Sequence, residues 1–312
     1  MAMTTGNVTH LTRSEVWSSQ LKDVLEDELL ATQYVDWLSE FPDGDTFTIP
    51  SIGQAQTETY TENESITYAP LDTGEFQFTI TEYLASGIYI TEKAKQDMFY
   101  MNQLVSSFVP KQERAIMEDV EAYILNLSAS QTASDLNTIN GADHRFVASG
   151  TNEVFQTDDF AKARYALKKA NVPDTDLVAI VDPSVEYTLN TLSNLTNVSN
   201  NPMWEGIVSS GIATGMRFVK NVYGFDVYVS NNLATANETV DSVTTAAGKA
   251  NMFFSAASDV VPFVGAWRQM PKVDSEYNKD RQREEYVVTA RYGAKLYRPE
   301  NLVCILSDTD QV

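Results

Sequence analysis

"YGFDVYVSNNL", residues 223–233, is the clearest strand pattern in this chain. Gly224 provides a turn before it, and Phe225, Val227 and Val229 alternate with the residues between them, so they point to one face. Two asparagines then end the run, as turn-forming residues do. The pattern predicts a β-strand with one buried face. No residue typical of catalysis stands at either end, so the strand's role is structural.

The sequence before this strand predicts a helix, a strand and a second helix. "TDDFAKARYALKKANVP" begins at 157, where Thr157 or Asp158 is expected to cap a helix that ends before its proline. "LVAIV" (177–181) is wholly apolar, which favours a strand buried on both faces. "DPSVEYTLNTLS" follows directly, with Asp182 as N-cap and Pro183 as the first helical residue.

The N-terminal third changes from helix to strand and back to helix. Residues 14–38 carry apolar side chains at helical spacing and predict an amphipathic helix. Residues 41–91 are rich in Thr, Tyr, Phe and Ile and predict a long polar hairpin. Residues 92–128 predict a helix capped by Thr91 and kinked or divided at Pro110. Because an isolated two-stranded hairpin is marginal in water, it needs a surface to lie on, which could belong to another subunit.

The remaining segments complete an α+β pattern. Residues 129–157 predict a loop with a short hairpin, and residues 270–298 predict two long strands before a last strand, "NLVCILS". Residues 193–216 predict a long loop, which carries large apolar side chains that exposed loops seldom display without a contact. These side chains are Met203, Trp204 and Ile207. We expect helices flanking a sheet, with one protruding hairpin.

The composition narrows the classes of function. A length of 312 residues favours roughly two domains, and the apolar fraction of 43% is enough for a core. The formal charge is −21, from 43 acidic and 22 basic residues, which disfavours surfaces that neutralise phosphates or bind anionic membranes. The chain has no secretory signal and no apolar run of the roughly 18 residues that a membrane span requires. We expect a soluble chain made in the cytoplasm.

Residues for catalysis or metal binding are scarce. Cys304 lies in the apolar run "LVCIL" and is expected to be a buried small side chain. His10 and His144 lie in polar segments without a partner at metal-ligand spacing, so both are expected on the surface. No phosphate loop, dinucleotide fingerprint or nucleophile elbow occurs. Acidic pairs are frequent because the chain is acidic. The sequence predicts neither an enzyme nor a cofactor.

Charge is distributed unevenly along the chain. Residues 1–91 hold 15 acidic and 2 basic residues, whereas residues 268–298 hold eight basic and five acidic ones. One interpretation is that both are solvated faces. The other is that the acidic hairpin of one subunit lies across the basic strands of a neighbour, since complementary charge fixes register and partner choice. The candidate inter-subunit contacts, from the hairpin, the apolar loop and the basic strands, are Tyr60, Glu62, Glu64, Tyr68, Met203, Trp204, Ile207, Arg281, Arg283 and Arg291.

The order of these elements resembles a known family. "VDPSVEYTL", "GFDVYVSNNL" and "YGAKLYRPENLV", with the helix, hairpin and long strands around them, resemble tailed-bacteriophage major capsid proteins of the Hong Kong 97-type fold. The hairpin "FTIPSIGQAQTETYTENESI" is similar to coats of short-tailed phages of the T-seven type. The resemblance covers nearly the whole chain. It implies a structural virion protein that assembles as pentamers and hexamers into an icosahedral shell around double-stranded DNA.

The resemblance also implies a division of the chain, and in that division the loop at 193–216 lies near the capsomer axis. The implied parts are an N-terminal arm (1–43), an E-loop hairpin (44–90), the spine helix of the P-domain (91–145), the A-domain (146–265), the long strands of the P-domain (266–298) and a C-terminal strand returning to the A-domain (299–312).

Partners follow from the same resemblance. Some members of the family join neighbours through an isopeptide bond from an E-loop lysine, but residues 41–91 contain no lysine, so we expect no covalent crosslink here. We expect a separate scaffolding protein, a portal at one vertex, and packaged double-stranded DNA held only by weak non-specific contact. Noncovalent burial, charge pairing, or a decoration or cement protein would stabilise the shell in place of the crosslink. No membrane is implied, and the expected location is the virion capsid.

Three alternatives remain open at this point. An encapsulin-like nanocompartment would have the same fold around an enzyme cargo. An enzyme of unknown class would need a concave site with perturbed titratable residues. A minor structural or adhesin protein of a virion fits the mixed helical core less well.

Overall fold

The computed structural model describes residues 29–38, 46–52, 57, 59–65, 73–97, 101–130, 137–192, 221–240, 242–245 and 248–308. Within these ranges the helices are α1 (Glu92–Asp97), α2 (Met101–Asn126), α3 (Thr157–Lys169) and α4 (Pro183–Thr191). The strands are β1 (Val35–Leu38), β2 (Thr46–Ile52), β3 (Thr73–Thr79), β4 (Glu82–Thr91), β5 (Thr138–Ile139), β6 (Ala142–Asp143), β7 (Arg145–Val147), β8 (Leu177–Val181), β9 (Asn221–Val222), β10 (Phe225–Val229), β11 (Thr239–Val240), β12 (Val243–Thr244), β13 (Gly248–Ser255), β14 (Phe263–Asn278), β15 (Arg283–Leu296) and β16 (Val303–Asp308).

A six-stranded sheet of order β7-β16-β13-β8-β10-β9 forms one body of the chain. All five residues of β8 are buried, as its apolar sequence predicts, and β8 pairs parallel with β10 and antiparallel with β13. One face of the sheet packs Phe225 and Phe253 against α3, and the other packs Met252 and Phe254 against α2 and its neighbours. Burial on both faces explains why the central strands lack polar alternation.

The strand predicted within residues 223–233 is β10, and the prediction of which of its side chains are buried is confirmed. Phe225 and Val227 are buried, Asp226 is exposed, and Val229 packs against the same apolar cluster. The two-residue turn from β9 has φ of 51° at Tyr223 and 90° at Gly224. Positive φ at both central positions is the geometry of a type I′ hairpin, whose twist matches the strands and which favours glycine.

The three caps predicted from sequence have different outcomes. The Asp182 side chain accepts the Ser184 N–H at 3.0 Å with Pro183 as the first helical residue, so this cap is confirmed. Thr91 also caps as predicted, since its Oγ1 accepts the Ala94 N–H at 3.3 Å. The cap of α3 was predicted one or two residues too late. Its cap position is Gln156, whose N–H donates to the Asp159 carboxylate at 2.8 Å.

A four-stranded sheet of order β1-β14-β15-β4 forms the second body, and α2 packs along it. Ile116, Val120 and Ile124 of α2 share one apolar cluster with Val288 and Tyr292 of β15. The helix runs through Pro110 without being divided there, so of the two outcomes predicted for Pro110 the division is wrong and the kink stays a prediction. The predicted pair of long strands is confirmed as β14 and β15, which extend for 16 and 14 residues.

The hairpin predicted for residues 41–91 is shorter than expected. Strands β2 and β3 pair with each other over Thr46–Ile52 and Thr73–Thr79. Strand β4, however, pairs with β15 over ten residues and belongs to the four-stranded sheet. The hairpin strands and β4 show the same alternation of polar and apolar residues. This alternation indicates that a segment is a strand, but it does not indicate which strand is its partner.

The end of the predicted N-terminal helix is wrong where the structure describes it. Residues Ala31–Tyr34 form a 3-10 turn and Val35–Leu38 form β1, which pairs parallel with β14. The carboxylate of buried Glu121 on α2 accepts the N–H groups of Leu30 and Ala31 at 2.7 and 3.3 Å, and so fixes where the chain enters the sheet. The earlier part of that helix, 14–28, and His10 lie outside the described residues.

Cys304 and His144, for which the sequence predicts no catalytic or metal-binding role, both lie in the core. Cys304 is buried, as predicted, and burial raises the pKa of its thiol to about 11. The prediction for His144 is wrong, because it is fully buried between the β5–β6 hairpin and β16. Burial lowers the pKa of His144, and its ring Nδ1 lies 3.0 Å from the Ala142 carbonyl oxygen. The polar residues around it in sequence concealed this.

Candidate inter-subunit surfaces

The four-stranded sheet has a helix face and an outer face. The buried side chains of β15 at Val288, Ala290 and Tyr292 face α2. Because successive side chains point to opposite sides, the residues between them form the outer face. The register extends this face across β4. The outer face, as used below, consists of Tyr83, Ala85, Gly87 and Tyr89 of β4 and Arg283, Glu285, Val287, Thr289 and Arg291 of β15.

Arg283 is engaged within its own subunit. Its Nε donates to the Glu285 carboxylate at 2.6 Å, and its guanidinium lies 4.3 Å from the centre of the Tyr89 ring. The guanidinium lowers the pKa of Glu285, which therefore stays ionised. At this end of the outer face the charges are matched locally, so the surface is less basic than the sequence count of residues 268–298 indicates.

The turn between β14 and β15 carries its charges into solvent. Lys279, Asp280 and Arg281 are exposed, and the Asn278 side-chain oxygen accepts the N–H groups of Asp280 and Arg281 at 3.2 and 3.3 Å. An asparagine that bonds to the following backbone in this way forms a compact turn. The turn holds two cationic side chains at the end of a long projection formed by β14 and β15, with β4 paired to β15 along it.

The hairpin has a packed base and an exposed acidic end. Phe78 and Ile80 are buried against Val264 and Ala266 of β14. Gly293 lies under the hairpin, where a Cβ would be 3.0 Å from the Ile80 Cα. Lys295 donates to the Gln77 carbonyl oxygen at 3.0 Å, with its Nζ 5.0 Å from the centre of the Phe76 ring. These contacts fix the direction in which the hairpin leaves the subunit.

Residues 59–65, at the far end of the hairpin, are exposed wherever their burial is described. Tyr60 has 62% of its surface exposed, and Glu62 and Glu64 stand beside it. A turn is closed by the Glu64 N–H, which donates to the Thr61 carbonyl oxygen at 3.1 Å, with Asn63 at φ of 66°. An exposed aromatic ring followed in sequence by two exposed carboxylates is suited to contact with a cationic protein surface.

An open pocket of about 170 Å³ lies near the turn of the projection. Its lining includes Glu284 and Glu285, together with Tyr277 and Tyr286. Lys95 lies 2.5 Å from Glu284 and lowers the pKa of that carboxyl, as Arg283 does for Glu285. Carboxyls held ionised in this way are poor general acids, which need a pKa raised towards neutrality. Among the described residues no group of His, Cys, Asp and Glu is placed to hold a metal ion, and no helix is long and apolar enough to cross a bilayer.

The sequence of this chain matches the model of a known protein family. The family model described as phage capsid protein matches residues 74–305, which include both sheets from β4 to the start of β16. This chain belongs to the phage capsid protein family. A search of curated proteins finds no match.

Solved structures show that the capsid protein has the fold expected from its sequence. A chain of the cyanophage P-SCSP1u capsid superposes with a TM-score of 0.74 at 15% identity, covering 96% of this chain and 93% of that one. A chain of Mycobacterium phage Che8 gives 0.69 at 16% identity, covering 94% and 97%. A chain of the mature capsid of bacteriophage PhiM1 gives 0.68 at 10% identity, covering 96% and 92%.

These likenesses confirm the α+β, Hong Kong 97-type major capsid fold and the structural role of the chain in a capsid shell. The encapsulin-like alternative is not favoured, since the matching family is that of phage capsids. The description of that family names phage capsid proteins in general, so the closer resemblance to T-seven-type coats stays a prediction.

The contact residues predicted for this capsid protein fall into three groups. Tyr60, Glu62 and Glu64 are exposed at the hairpin end, and Arg281 is exposed at the turn of the projection. Arg283 and Arg291 are half-buried on the outer face, and Arg283 is paired within the subunit. Four residues lie outside the described part of the chain, namely Tyr68, Met203, Trp204 and Ile207.

Sequence reasoning overlooked the exposed side chains of β4 and β14 in this capsid protein. Tyr83 and Tyr89 have 61% and 58% of their surface exposed, and Met270 has 68%. Exposed large side chains indicate a candidate interface where they form a contiguous patch. The signal was present in "EYLASGIYIT", an alternating run with one charged residue, but it was interpreted as part of the hairpin.

Proposed function

We propose that this phage capsid protein assembles as pentamers and hexamers into a closed icosahedral shell that encloses double-stranded DNA. The observation that carries the proposal is the match of nearly the whole chain, hairpin and both sheets included, to capsid chains. Subunits that each contact several neighbours form closed shells through many weak contacts acting together. Such contacts also offset the repulsion between subunits with a charge of −21.

The division into domains belongs to the proposal. The six-stranded sheet with α3 and α4 corresponds to the A-domain, and the four-stranded sheet with α2 to the P-domain. The hairpin of β2 and β3 corresponds to the E-loop, which then ends near residue 80, since β4 pairs with β15. The pairing of β1 with β14 favours including residues 35–38 in the P-domain.

We further propose that the chain acts without catalysis and without a covalent crosslink. The carboxyls of the pocket near the projection support the first statement, because their lowered pKa values make them poor proton donors near neutral pH. The absence of any lysine between Lys22 and Lys93 supports the second. A separate scaffolding protein, a portal and a decoration protein complete the proposed assembly, with DNA held by weak non-specific contact. The proposed site of synthesis is the host cytoplasm.

The experiment that tests the function is electron microscopy of the purified chain, expressed with the scaffolding protein of its own phage. Closed, uniform shells are expected by negative stain, with pentamers at the vertices. A folded chain that stays monomeric in the presence of the scaffold, at all salt concentrations tried, would contradict the proposal.

The contact we propose within the shell joins the hairpin end of one subunit to the projection of its neighbour. Tyr60, Glu62 and Glu64 supply an aromatic and acidic surface, and Lys279 and Arg281 supply the exposed cations. Arg283 contributes less than expected, because its guanidinium already has Glu285 and Tyr89 as partners. Charge pairs of this kind select the partner and speed its approach more than they add affinity.

Charge reversal at the projection should therefore weaken assembly without unfolding the subunit. In Arg281→Glu and Arg283→Glu together, we expect at least a tenfold loss in the yield of shells, with circular dichroism close to that of the native chain. Raising the salt concentration should reduce the difference in shell yield between the variant and the native chain, because salt screens ion pairs between exposed side chains. Light scattering during assembly measures the rate and extent.

Lys169→Glu is the matched control for Arg281→Glu alone, since each changes the charge by the same amount and Lys169 lies on the exposed end of α3. It should assemble about as well as the native chain. Equal impairment by the control, or normal assembly of the double variant, would remove the proposed contact. Arg281→Glu alone separates the contact between subunits from the pairing of Arg283 within its own subunit.

A further inference from the structure

Strand β4 offers a free hydrogen-bonding edge. Its partner is β15, and no other strand in the described residues pairs with it. The Glu92 N–H donates to the Gln282 carbonyl at 2.9 Å, one step beyond the ladder, so even-numbered residues of β4 direct their backbone groups to β15. Antiparallel strands alternate in this respect. The odd-numbered residues 83, 85, 87 and 89 therefore direct N–H and C=O groups away from the sheet.

This edge lacks most of the features by which proteins protect free strands. It is ten residues long, without proline or lysine, and Glu82 is its one charged side chain. The opposite edge of the sheet is the part of β14 that lies beyond its pairing with β1, and this edge does have protecting features. It contains Pro271, two irregularities of register, and charges at Lys272, Asp274 and Glu276. Charges, proline and bulges are how natural sheets prevent edge pairing. One edge is thus protected and the other is open.

The open edge is complementary to itself. When two copies run antiparallel with Ser86 opposite Ser86, like residues face each other across the pair. Tyrosine faces tyrosine (Tyr83 and Tyr89), small faces small (Ala85 and Gly87), and aliphatic faces aliphatic (Leu84 and Ile88). In this register the four outward residues meet as hydrogen-bonded pairs, which gives about eight backbone hydrogen bonds in all. The near absence of charge allows two subunits of net charge −21 to approach there.

We infer that β4 pairs with β4 of a second copy across a two-fold axis and continues the four-stranded sheet into eight strands. Antiparallel self-pairing requires such an axis, and an isologous contact uses the same patch on both subunits. A closed icosahedral shell contains two-fold axes between its subunits, so the inference rests on the proposed function and names one contact within it. Tyr83 and Tyr89, exposed in one chain, then form two facing pairs of rings, one towards each end of the seam.

A cysteine at the centre of the seam tests the register. Non-hydrogen-bonded partners have Cα atoms about 4.5 Å apart, a distance that a disulfide can span. In Ser86→Cys shells, diamide should remove two electrons and two protons from the facing thiols. Most chains should then migrate as dimers on a non-reducing gel. The native chain should stay monomeric, because Cys304 is buried.

Ser275→Cys, exposed on the protected edge, is the matched control and should give no dimer. Shells of Ser86→Cys that yield monomers only, or equal crosslinking of both variants, would overturn the inference. Failure of the native chain to form shells would instead overturn the proposed function, so the two failures are distinct.

A pair of prolines tests the edge without any crosslink. The Ala85 N–H points outward, so Ala85→Pro leaves the ladder to β15 intact and removes one outward donor. It should fold as a subunit and fail to form the seam, with at least a tenfold loss of shells. The Ser86 N–H points into the ladder, so Ser86→Pro should lose the folded subunit itself. Normal assembly of Ala85→Pro would contradict the paired edge.

Discussion

Substituting Val227 with aspartate should leave no folded, soluble chain. Val227 has 6% of its surface exposed and faces Ala179 of β8 in the register of the six-stranded sheet. It belongs to the apolar cluster of Phe225 and Phe253, which the sheet covers on one side and α3 on the other. The change removes about 2 kcal/mol of apolar burial and places an unpaired charge within an apolar cluster, at a further cost of several kcal/mol. Together these approach the whole stability of an ordinary domain, about 5–15 kcal/mol.

Soluble yield and circular dichroism measure the outcome, and two further variants serve as controls. Val227→Ala removes the apolar atoms without adding a charge, so we expect a folded chain that is less stable by about 2–3 kcal/mol. Asp226→Asn, at the exposed neighbour on the other face, should change stability by about 1 kcal/mol or less. A normal yield of Val227→Asp shells would mean that β10 faces the opposite way.

The sequence was most informative where an element's identity depends on its own residues. "LVAIV" and the Asp182-Pro183 start of α4 were predicted correctly, because burial on both faces and helix capping leave local patterns. The turn at Tyr223-Gly224 is of the same kind, since positive φ favours particular residue types. In such segments the residues that determine the local structure are the residues that adopt it, so a short window of sequence is enough to predict it.

The sequence was least informative where a partner is distant in the chain. "VDWL" at 35–38 continued a helical stripe in sequence, yet it is a strand because β14 lies beside it, more than 220 residues later. β4 was joined to the hairpin for the same reason, since its partner β15 follows some 190 residues later. The burial of His144 depends on β16, whose Cys304 N–H donates to the His144 carbonyl oxygen at 2.8 Å. None of these contacts has a local signature.

The proposed contact surface shows the same limit. Counting charges found the basic strands and the acidic hairpin, but it could not show that Arg283 is paired with Glu285 while Arg281 is exposed. Nor could it show that β4 and β14 lie at the edges of their sheet, because strand order depends on partners that are distant in the chain. The motif "YRPENLV" was found by resemblance alone, and the structure supplies the physical reason for its asparagine.

Asn301 connects the loop before β16 to the end of β13. It is buried, its side-chain oxygen accepts the Ser255 N–H at 2.9 Å, and its Nδ2 donates to the Ser255 carbonyl oxygen at 2.8 Å. The same Nδ2 donates to the Val260 carbonyl oxygen. A side-chain amide therefore pairs with both backbone groups of one residue, as a neighbouring strand would, in a place where no strand lies.

Asn301→Asp should cost about 3–5 kcal/mol of stability, although it changes the size of the side chain hardly at all. The second carboxylate oxygen would face two carbonyl oxygens in place of an N–H donor, and a buried charge without a partner is expensive. The new carboxyl would gain a proton more readily when folded than when unfolded, so its pKa is raised by folding. The loss should then be largest at neutral pH and should shrink as the pH falls towards 4, where protonation restores a donor.

Chemical denaturation of the unassembled subunit at pH 7 and at pH 5 measures both effects. Asn278→Asp makes the same chemical change where the oxygen accepts two backbone N–H groups and the amide donates only to Glu285. Its cost should stay below that of Asn301→Asp, because a carboxylate fills the acceptor role as well and its repulsion from Glu285 is reduced by the Arg283 guanidinium bound to that carboxylate. If Asn301→Asp were as mild as this control, or if its cost were the same at both pH values, then the amide would not be the connection that fixes the last strand in the six-stranded sheet.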